Sequence, residues 1–195
     1  MNNVIIKYNA GNIRSVDFAL KRLNRHAEIT DDHDKIRQAD RVIFPGVGEA
    51  KSTMDFLKDK GLDKVILELE QPVLAICLGM QLLCESSEER SAKTLGLINT
   101  QVKRFQGNVK VPHMGWNRIF GLRSPLFEGI EEGAFVYFVH SYYVPMTDFT
   151  IAKSYHSRLF SAAFRKDNFY AVQFHPEKSG TVGERILTNF LNQIA

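Results

Sequence analysis

The sequence predicts an α/β fold, with a mainly parallel central sheet flanked by helices and an antiparallel excursion. Three observations carry that expectation. Through the first half, short β-like runs alternate with helical patterns, as βαβ units require. Pro72-Val73-Leu74-Ala75-Ile76 is a continuous apolar run, the pattern of a strand buried on both faces. In the second half, aromatic and β-branched runs are separated by polar turns, which fits antiparallel strands.

Taken in order, Val4 to Tyr8 reads as a strand, and Ile13, Val16, Leu20 and Leu23 then recur at helical spacing. Arg41 to Phe44 reads as the next strand and ends in Pro45-Gly46-Val47-Gly48. Met54 and Leu57 with their polar neighbours indicate a helix closing near Gly61, and a further helix is predicted over Leu62 to Glu70. Cys77 stands at a strand-to-helix junction, with helical spacing resuming from Met80 to Glu85. Strands are predicted over Phe135 to Tyr143, Thr150 to Tyr155, Leu159 to Arg165 and Phe169 to Phe174. From Val182 to Ile194, the residues Ile186, Leu187, Phe190, Leu191 and Ile194 share one face of an amphipathic helix. No linker, repeat or low-complexity segment interrupts the pattern, and 195 residues at 44% hydrophobic content fit a single domain, 1–195.

Composition narrows the function. A net charge of +3, with Lys and Arg spread along the chain, lacks the basic stripe that neutralises a phosphate backbone, so no nucleic-acid partner is expected. The N-terminus has no charged segment leading into a long apolar stretch, and no later run approaches the roughly 20 apolar residues of a membrane span. A cytoplasmic protein with no membrane partner is expected. If the two cysteines, Cys77 and Cys84, lie on one helix, they stand about 10 Å apart along its axis, too far for a disulfide. Neither has a partner at metal-binding spacing, and the six histidines are scattered; no metal and no cofactor are expected.

Ala75-Ile76-Cys77-Leu78-Gly79 has the form of a nucleophile elbow, in which small residues two before and two after the reactive side chain permit a sharp strand-to-helix turn. The turn exposes the sulfur above the sheet and sets backbone N–H groups and the positive end of the next helix beside it, which favours the thiolate. By itself the pentapeptide also suits a small buried core cysteine. Phe174-His175-Pro176-Glu177 offers a base and a carboxylate to orient it. Residues two apart on an extended segment project to the same side, and Pro176 stiffens that segment. In isolation, it equally suits a polar loop after a strand.

Together, Cys77-Leu78-Gly79-Met80-Gln81, the later His175-Pro176-Glu177 and the upstream Pro45-Gly46-Val47-Gly48 resemble the class I, triad-type glutamine amidotransferases. More narrowly, the chain is similar to the glutaminase subunits of imidazole glycerol phosphate synthases over essentially its whole length. Further segments carrying that resemblance are Gly11-Asn12-Ile13-Arg14-Ser15-Val16, Glu85-Ser86-Ser87, Pro112-His113-Met114-Gly115-Trp116-Asn117 and Val139-His140-Ser141-Tyr142-Tyr143. One departure is Lys7-Tyr8-Asn9-Ala10, where the family more often opens with Asp-Tyr-Gly.

The resemblance implies a flavodoxin-like α/β fold with the catalytic triad Cys77, His175 and Glu177, and with L-glutamine bound by Gly46, Val47, Gly48, Leu78, Gln81, Ser141 and Tyr142. The glycine turn supplies an oxyanion N–H in that reading and a plain strand-to-helix turn in the other. Gln81 lies one helical turn beyond Cys77. Backbone and side chains of the 140–143 segment hold the α-carboxylate and amino group of glutamine in the family, with aromatic packing as a second use of the tyrosines. His140 is an alternative base, although only His175 has a carboxylate beside it in sequence. By composition alone, the segment with His113 and Trp116 suits an ordinary exposed turn, whereas the resemblance puts it near the surface facing the synthase subunit; Trp116 suits an interface or core packing.

The implied chemistry is glutamine hydrolysis to glutamate and ammonia through a cysteine acyl-enzyme. The ammonia acceptor then lies on another chain, a (β/α)8-barrel cyclase subunit paired with this one as a heterodimer, which makes imidazole glycerol phosphate and aminoimidazole carboxamide ribotide in histidine biosynthesis. A paralogue supplying ammonia for surface-sugar amidination shares the same motifs. The glutaminase of pyridoxal phosphate synthesis is expected to carry a Gly-Gly-Glu-Ser-type turn instead of Pro-Gly-Val-Gly. A non-enzymatic interaction subunit is expected to have lost part of the triad.

Overall fold

The computed structural model describes residues 2–9 and 12–194. Ala10 and Gly11, which belong to the two loop motifs near the start of the sequence, lie outside the described residues, as do Met1 and Ala195 at the limits of the expected 1–195 unit.

The chain opens with β1 (Asn3–Ile6), α1 (Ile13–Arg22), β2 (Ala27–Thr30), a short α2 (His33–Arg37) and β3 (Arg41–Phe44). Then follow α3 (Ala50–Asp59), α4 (Leu62–Leu67), β4 (Val73–Ile76) and α5 (Leu78–Leu82). The middle of the chain holds β5 (Cys84–Ser87), β6 (Ala92–Lys93), β7 (Ile98–Arg104), β8 (His113–Arg118), β9 (Phe135–His140) and β10 (Tyr142–Tyr143). It closes with β11 (Thr150–His156), β12 (Arg158–Lys166), β13 (Phe169–Val172) and α6 (Gly180–Asn192).

The main sheet has seven strands in the order β11-β12-β13-β4-β3-β1-β2. From β13 to β2 neighbours run parallel, while β12 and β11 extend the sheet antiparallel. Alternation along the buried strands assigns side chains to two faces. On one face Ile5, Ile43, Leu74 and Ile76 pack with Val16 and Leu20 of α1 and with Ile186, Leu187 and Phe190 of α6. On the other, Val4, Val42, Val73 and Ala75 meet Met54 and Leu57 of α3 and Val65 and Ile66 of α4. Burial on both faces explains the unbroken apolar run of β4. The expected amphipathic stripe of α6 is the face turned to this core.

Several expected elements shift. The helix pattern over Met80 to Glu85 stops at Leu82, and Cys84 opens β5, which pairs with β6 and β7 in a four-stranded sheet ordered β10-β7-β5-β6. Met80, Leu82, Leu83 and Cys84 are all buried, and an apolar run this short does not distinguish helix from strand. The two cysteines therefore do not share a helix. The strand predicted over Phe135 to Tyr143 breaks at Ser141, because its first part pairs with β8 and its second with β7. The segment predicted within an antiparallel group at Phe169 to Phe174 is antiparallel to β12 but parallel to β4. The supposed exposed turn around Trp116 is the strand β8, with His113 buried and Trp116 56% exposed.

Four carboxyl ends of the parallel block feed one region. Tyr8 follows β1, the Pro45–Gly48 turn follows β3, Cys77 follows β4, and His175 follows β13. Open α/β sheets place ligands outside these strand ends.

Candidate active site

Cys77 is held at φ +53°, ψ −106°, a positive-φ backbone that non-glycine residues avoid and that costs on the order of 1–3 kcal/mol. Its neighbours hold it there. The Cys77 N–H donates to Val172 O at 2.8 Å, and the Leu78 N–H to Gly46 O at 3.2 Å. The tight crossing of the elbow over the β3 turn requires glycine on both sides. A Cβ on Gly46 would lie 2.4 Å from the Gly79 nitrogen, and one on Gly79 would lie 2.3 Å from Phe44 O. The expected small residue two after the nucleophile thus has its cause in backbone packing. α5 spans only five residues, so its macrodipole is a weaker aid to a thiolate than a long helix would give.

His175 and Glu177 meet in the protein interior, where the His175 ring interacts with Cys77. His175 Nδ1 and Glu177 Oε1 are 2.7 Å apart with both side chains almost fully buried. The segment is not extended as expected, since Pro176–Lys178 forms a 3-10 turn. The turn folds the carboxylate back under the ring, so the pairing arises by another route. Asn12, just before α1, donates its amide to Glu177 Oε1 and lies 3.4 Å from His175 Nδ1. The Ser179 hydroxyl donates to His175 O at 2.7 Å, and the His175 N–H donates to Tyr137 O at 2.9 Å, which fixes the backbone on both sides of the ring. Nε2 of His175 is buried and has no hydrogen-bond partner among the described residues. Burial disfavours a charged ring here. Interaction with the Cys77 sulfur and with the Glu177 carboxylate outweighs it and raises the His175 pKa. That is the electrostatic arrangement of a cysteine paired with a base that keeps the proton.

Cys77 opens onto a pocket of about 360 Å³ that is also lined by Val47, Gly48, Leu78, Gln81, Ser141 and Tyr142. Of the residues expected around glutamine, only Gly46 is absent from this lining; it packs under the elbow. Gln81 donates both to Tyr142 O at 2.9 Å and to Gln173 Oε1 at 3.0 Å. Both bonds are donated by its amide nitrogen. Gln173 in turn donates toward Cys77 Sγ at 3.7 Å, and Val139 O lies 3.8 Å from the same sulfur.

No site role was expected of Glu89, Gln173 or Asn12, although Asn12 lies in the Gly11–Val16 segment that carries the resemblance. Glu89 lines the pocket and accepts from the Ala50 N–H at 2.7 Å, and burial raises its carboxyl pKa. It follows the Glu85-Ser86-Ser87 motif by two residues, but nothing in its spacing points to the pocket. Tyr8 is a further surprise: its hydroxyl donates to Pro45 O at the head of the glycine turn, and burial followed by the nearby Cys77 pushes its pKa up. His140 is no base. Its ring is committed to Tyr142 O and His113, and among the described residues no carboxylate is hydrogen-bonded to it. Cys84 faces away, with Sγ 3.8 Å from Met80 O and a pKa raised by burial alone.

Residues 5–194 match the family described as glutamine amidotransferase class-I. The chain is 61% identical over 194 residues to the imidazole glycerol phosphate synthase subunit HisH of Bacteroides fragilis, covering 98% of this chain and 99% of that one. It is 58% identical to the protein of the same name from Bacteroides thetaiotaomicron, covering 98% and 100%. Among solved structures, it is similar to one described as a glutamine amidotransferase, with a TM-score of 0.73 at 20% identity, covering 96% of each chain. The structure of PurLQS from Thermotoga maritima gives a TM-score of 0.71 at 16% identity, covering 100% of this chain and 99% of that one. These structural likenesses bear on the fold alone.

Proposed function

The chain belongs to the class I glutamine amidotransferases and, within them, to the HisH subunits of imidazole glycerol phosphate synthase, and from that premise we propose that Cys77, His175 and Glu177 hydrolyse L-glutamine for a second subunit. It is the glutamine amidotransferase subunit of a histidine-biosynthetic enzyme. In the finer reading, residues 1–195 act as one cytoplasmic domain that forms a heterodimer with a (β/α)8-barrel cyclase. That cyclase uses the ammonia in a lyase step yielding imidazole glycerol phosphate and aminoimidazole carboxamide ribotide. The observation that carries the proposal is the strained Cys77 above a buried His175–Glu177 pair, at the mouth of a pocket sized for an amino acid.

The residues divide the work as follows. His175 holds the proton taken from Cys77, and the thiolate attacks the side-chain amide carbon of glutamine. The imidazolium returns that proton to the departing nitrogen, which leaves as ammonia. Water activated by His175 then cleaves the thioester and releases glutamate. Glu177 keeps Nδ1 protonated and stabilises the imidazolium. Gln81, Ser141 and Tyr142 line the glutamine site with Val47, Gly48 and Leu78, and Glu89 supplies a carboxylate for the α-amino group. Oxyanion donors come from the elbow and the adjacent glycine turn. In this state the Leu78 N–H is engaged by Gly46 O, so the turn must move before that donor serves an oxyanion. Gly48, at φ +126°, allows such a reorientation.

Copurification with candidate barrel subunits, followed by a glutamine-dependent cyclase assay, tests the assignment. Complex formation with glutamine-driven imidazole glycerol phosphate synthesis is expected. Activity only with a surface-sugar synthetase would transfer the chain to the alternative pathway, which the names of its relatives do not favour. Glutaminase turnover should rise from the isolated chain to the complex and again with acceptor ligand; equal kcat in all three would contradict the proposed switch at the glycine turn.

A further inference from the structure

Behind the pocket wall, a chain of hydrogen bonds runs from the outer strand β8 to the nucleophile, and its direction can be read at both ends. At the outer end, Asn117 Oδ1 accepts from the Arg118 N–H at 2.8 Å and Nδ2 donates to Tyr155 O at 2.9 Å. The amide orientation is therefore fixed. The same Nδ2 lies 3.1 Å from His113 Nε2, and since an amide N–H₂ only donates, Nε2 is an acceptor and the His113 proton sits on Nδ1. That Nδ1 lies 2.9 Å from His140 Nε2. At the inner end, His140 Nδ1 lies 2.7 Å from Tyr142 O, which only accepts. His140 must therefore carry its proton on Nδ1 as well, leaving Nε2 to accept from His113. The two ends impose one and the same polarity.

Tyr142 O is shared. It also accepts from Gln81 Nε2, which bridges to Gln173 Oε1, and Gln173 Nε2 points to Cys77 Sγ. The two imidazoles are buried among aromatic rings: His113 lies between Phe138 at 4.9 Å and His156 at 4.1 Å, with Phe105 edge-on to His140 at 5.4 Å. An added proton on either ring would set two donors face to face in a low-dielectric site. Burial, the larger cause, together with the neighbouring histidines, lowers the His113 pKa to about 4 and that of His140 to about 3.

We infer that His113 and His140, locked as neutral Nδ1–H tautomers between Asn117 and Tyr142, are positioning residues that fix the Tyr142 carbonyl and through it Gln81 in the glutamine pocket. The kinetic side of this inference rests on the glutamine reading of that pocket; the tautomer side does not. Two arms separate them. In the full wild-type chain with ¹⁵N-labelled histidine, long-range ¹H–¹⁵N spectra at neutral pH should show two histidines as neutral Nδ1–H tautomers, assigned by loss of their signals in His113→Asn and His140→Asn. Nε2–H tautomers or charged rings at these positions would overturn the inference. In the complex, His113→Leu and His140→Leu should raise KM for glutamine roughly tenfold or more, the size of a lost buried hydrogen bond, while kcat at saturating glutamine changes less than about threefold. Asn at either site keeps a donor near the Nδ1 position and should restore most of the affinity. Unchanged KM in folded Leu variants, or no rescue by Asn, would contradict the positioning role. A wild-type complex without glutamine hydrolysis would instead defeat the functional reading and leave the tautomer result standing.

Discussion

Glu177 Oε1 stands 2.7 Å from His175 Nδ1 with both side chains almost fully buried, and the two come together through a 3-10 turn instead of an extended strand. Because the carboxylate acts only through the ring, the pair should behave as one unit. Replacing His175 with Ala should cost more glutaminase activity than replacing Glu177 with Gln, and the double variant should resemble the His175 single variant. Steady-state kinetics of the four proteins in the complex decide this; additive losses would separate the two roles.

Asn12 donates to the same carboxylate from the start of α1. Asn12→Ala removes a hydrogen bond to a charged group, worth about 1.5–3 kcal/mol. Glutamine-dependent kcat should fall roughly tenfold to a hundredfold on that basis, with less change in KM. Asn12→Asp should be worse, since it sets a second carboxylate against Glu177. An unchanged kcat in both would show that Asn12 does not support the pair.

At Gly46 a Cβ would meet the Gly79 nitrogen, Leu78 Cβ and Leu78 C all under 3.0 Å. Gly46→Ala must push the β3 turn off the elbow. Overpacking of this kind costs about 1–3 kcal/mol in stability, and Cys77 moves with it. A lower melting temperature together with loss of glutamine turnover is expected, and normal activity in a stable variant would contradict the packing described here.

The buried histidines set a direction for pH. His113 and His140 have folded-state pKa values lowered by burial to about 4 and about 3, below the ordinary 6.5. The unfolded chain therefore binds more protons than the folded one between those values. Stability contributed by the two rings is complete above about pH 6.5 and is lost as pH falls through that window. His175, raised by its charged partners, contributes in the opposite sense, losing its share as pH rises above 6.5. Denaturant titrations of wild type and His140→Asn from pH 4 to 7 should show a shallower acid loss in the variant.

Much of the site was legible because its residues sit where local rules are strict. The elbow needs glycine at a close backbone crossing, and the buried parallel strand before it needs an unbroken apolar run, so both appear as short motifs. The pairings made across long stretches of sequence left no such trace, even where one partner lies in a motif: Asn12 contacts Glu177 from 165 positions away, and Gln81 meets Gln173 from 92. Strands such as β2 and β5 also escaped notice. In β2, Ala27 to Thr30 is mostly exposed with a single buried residue, and in β5 the apolar stretch before it runs on from α5. Where tertiary pairing decides the structure, periodicity within one segment carries little information.

The most direct test replaces the proposed nucleophile in the proposed complex. Cys77→Ala in complex with the proposed barrel subunit should lose glutamine-dependent synthesis while keeping synthesis driven by added ammonium salts, because only the nitrogen source is removed. Cys84→Ala, whose buried thiol faces Met80 O, should keep both activities. Loss of the ammonium-driven reaction in Cys77→Ala, or survival of the glutamine-driven one, would contradict the assignment of this chain as the glutaminase.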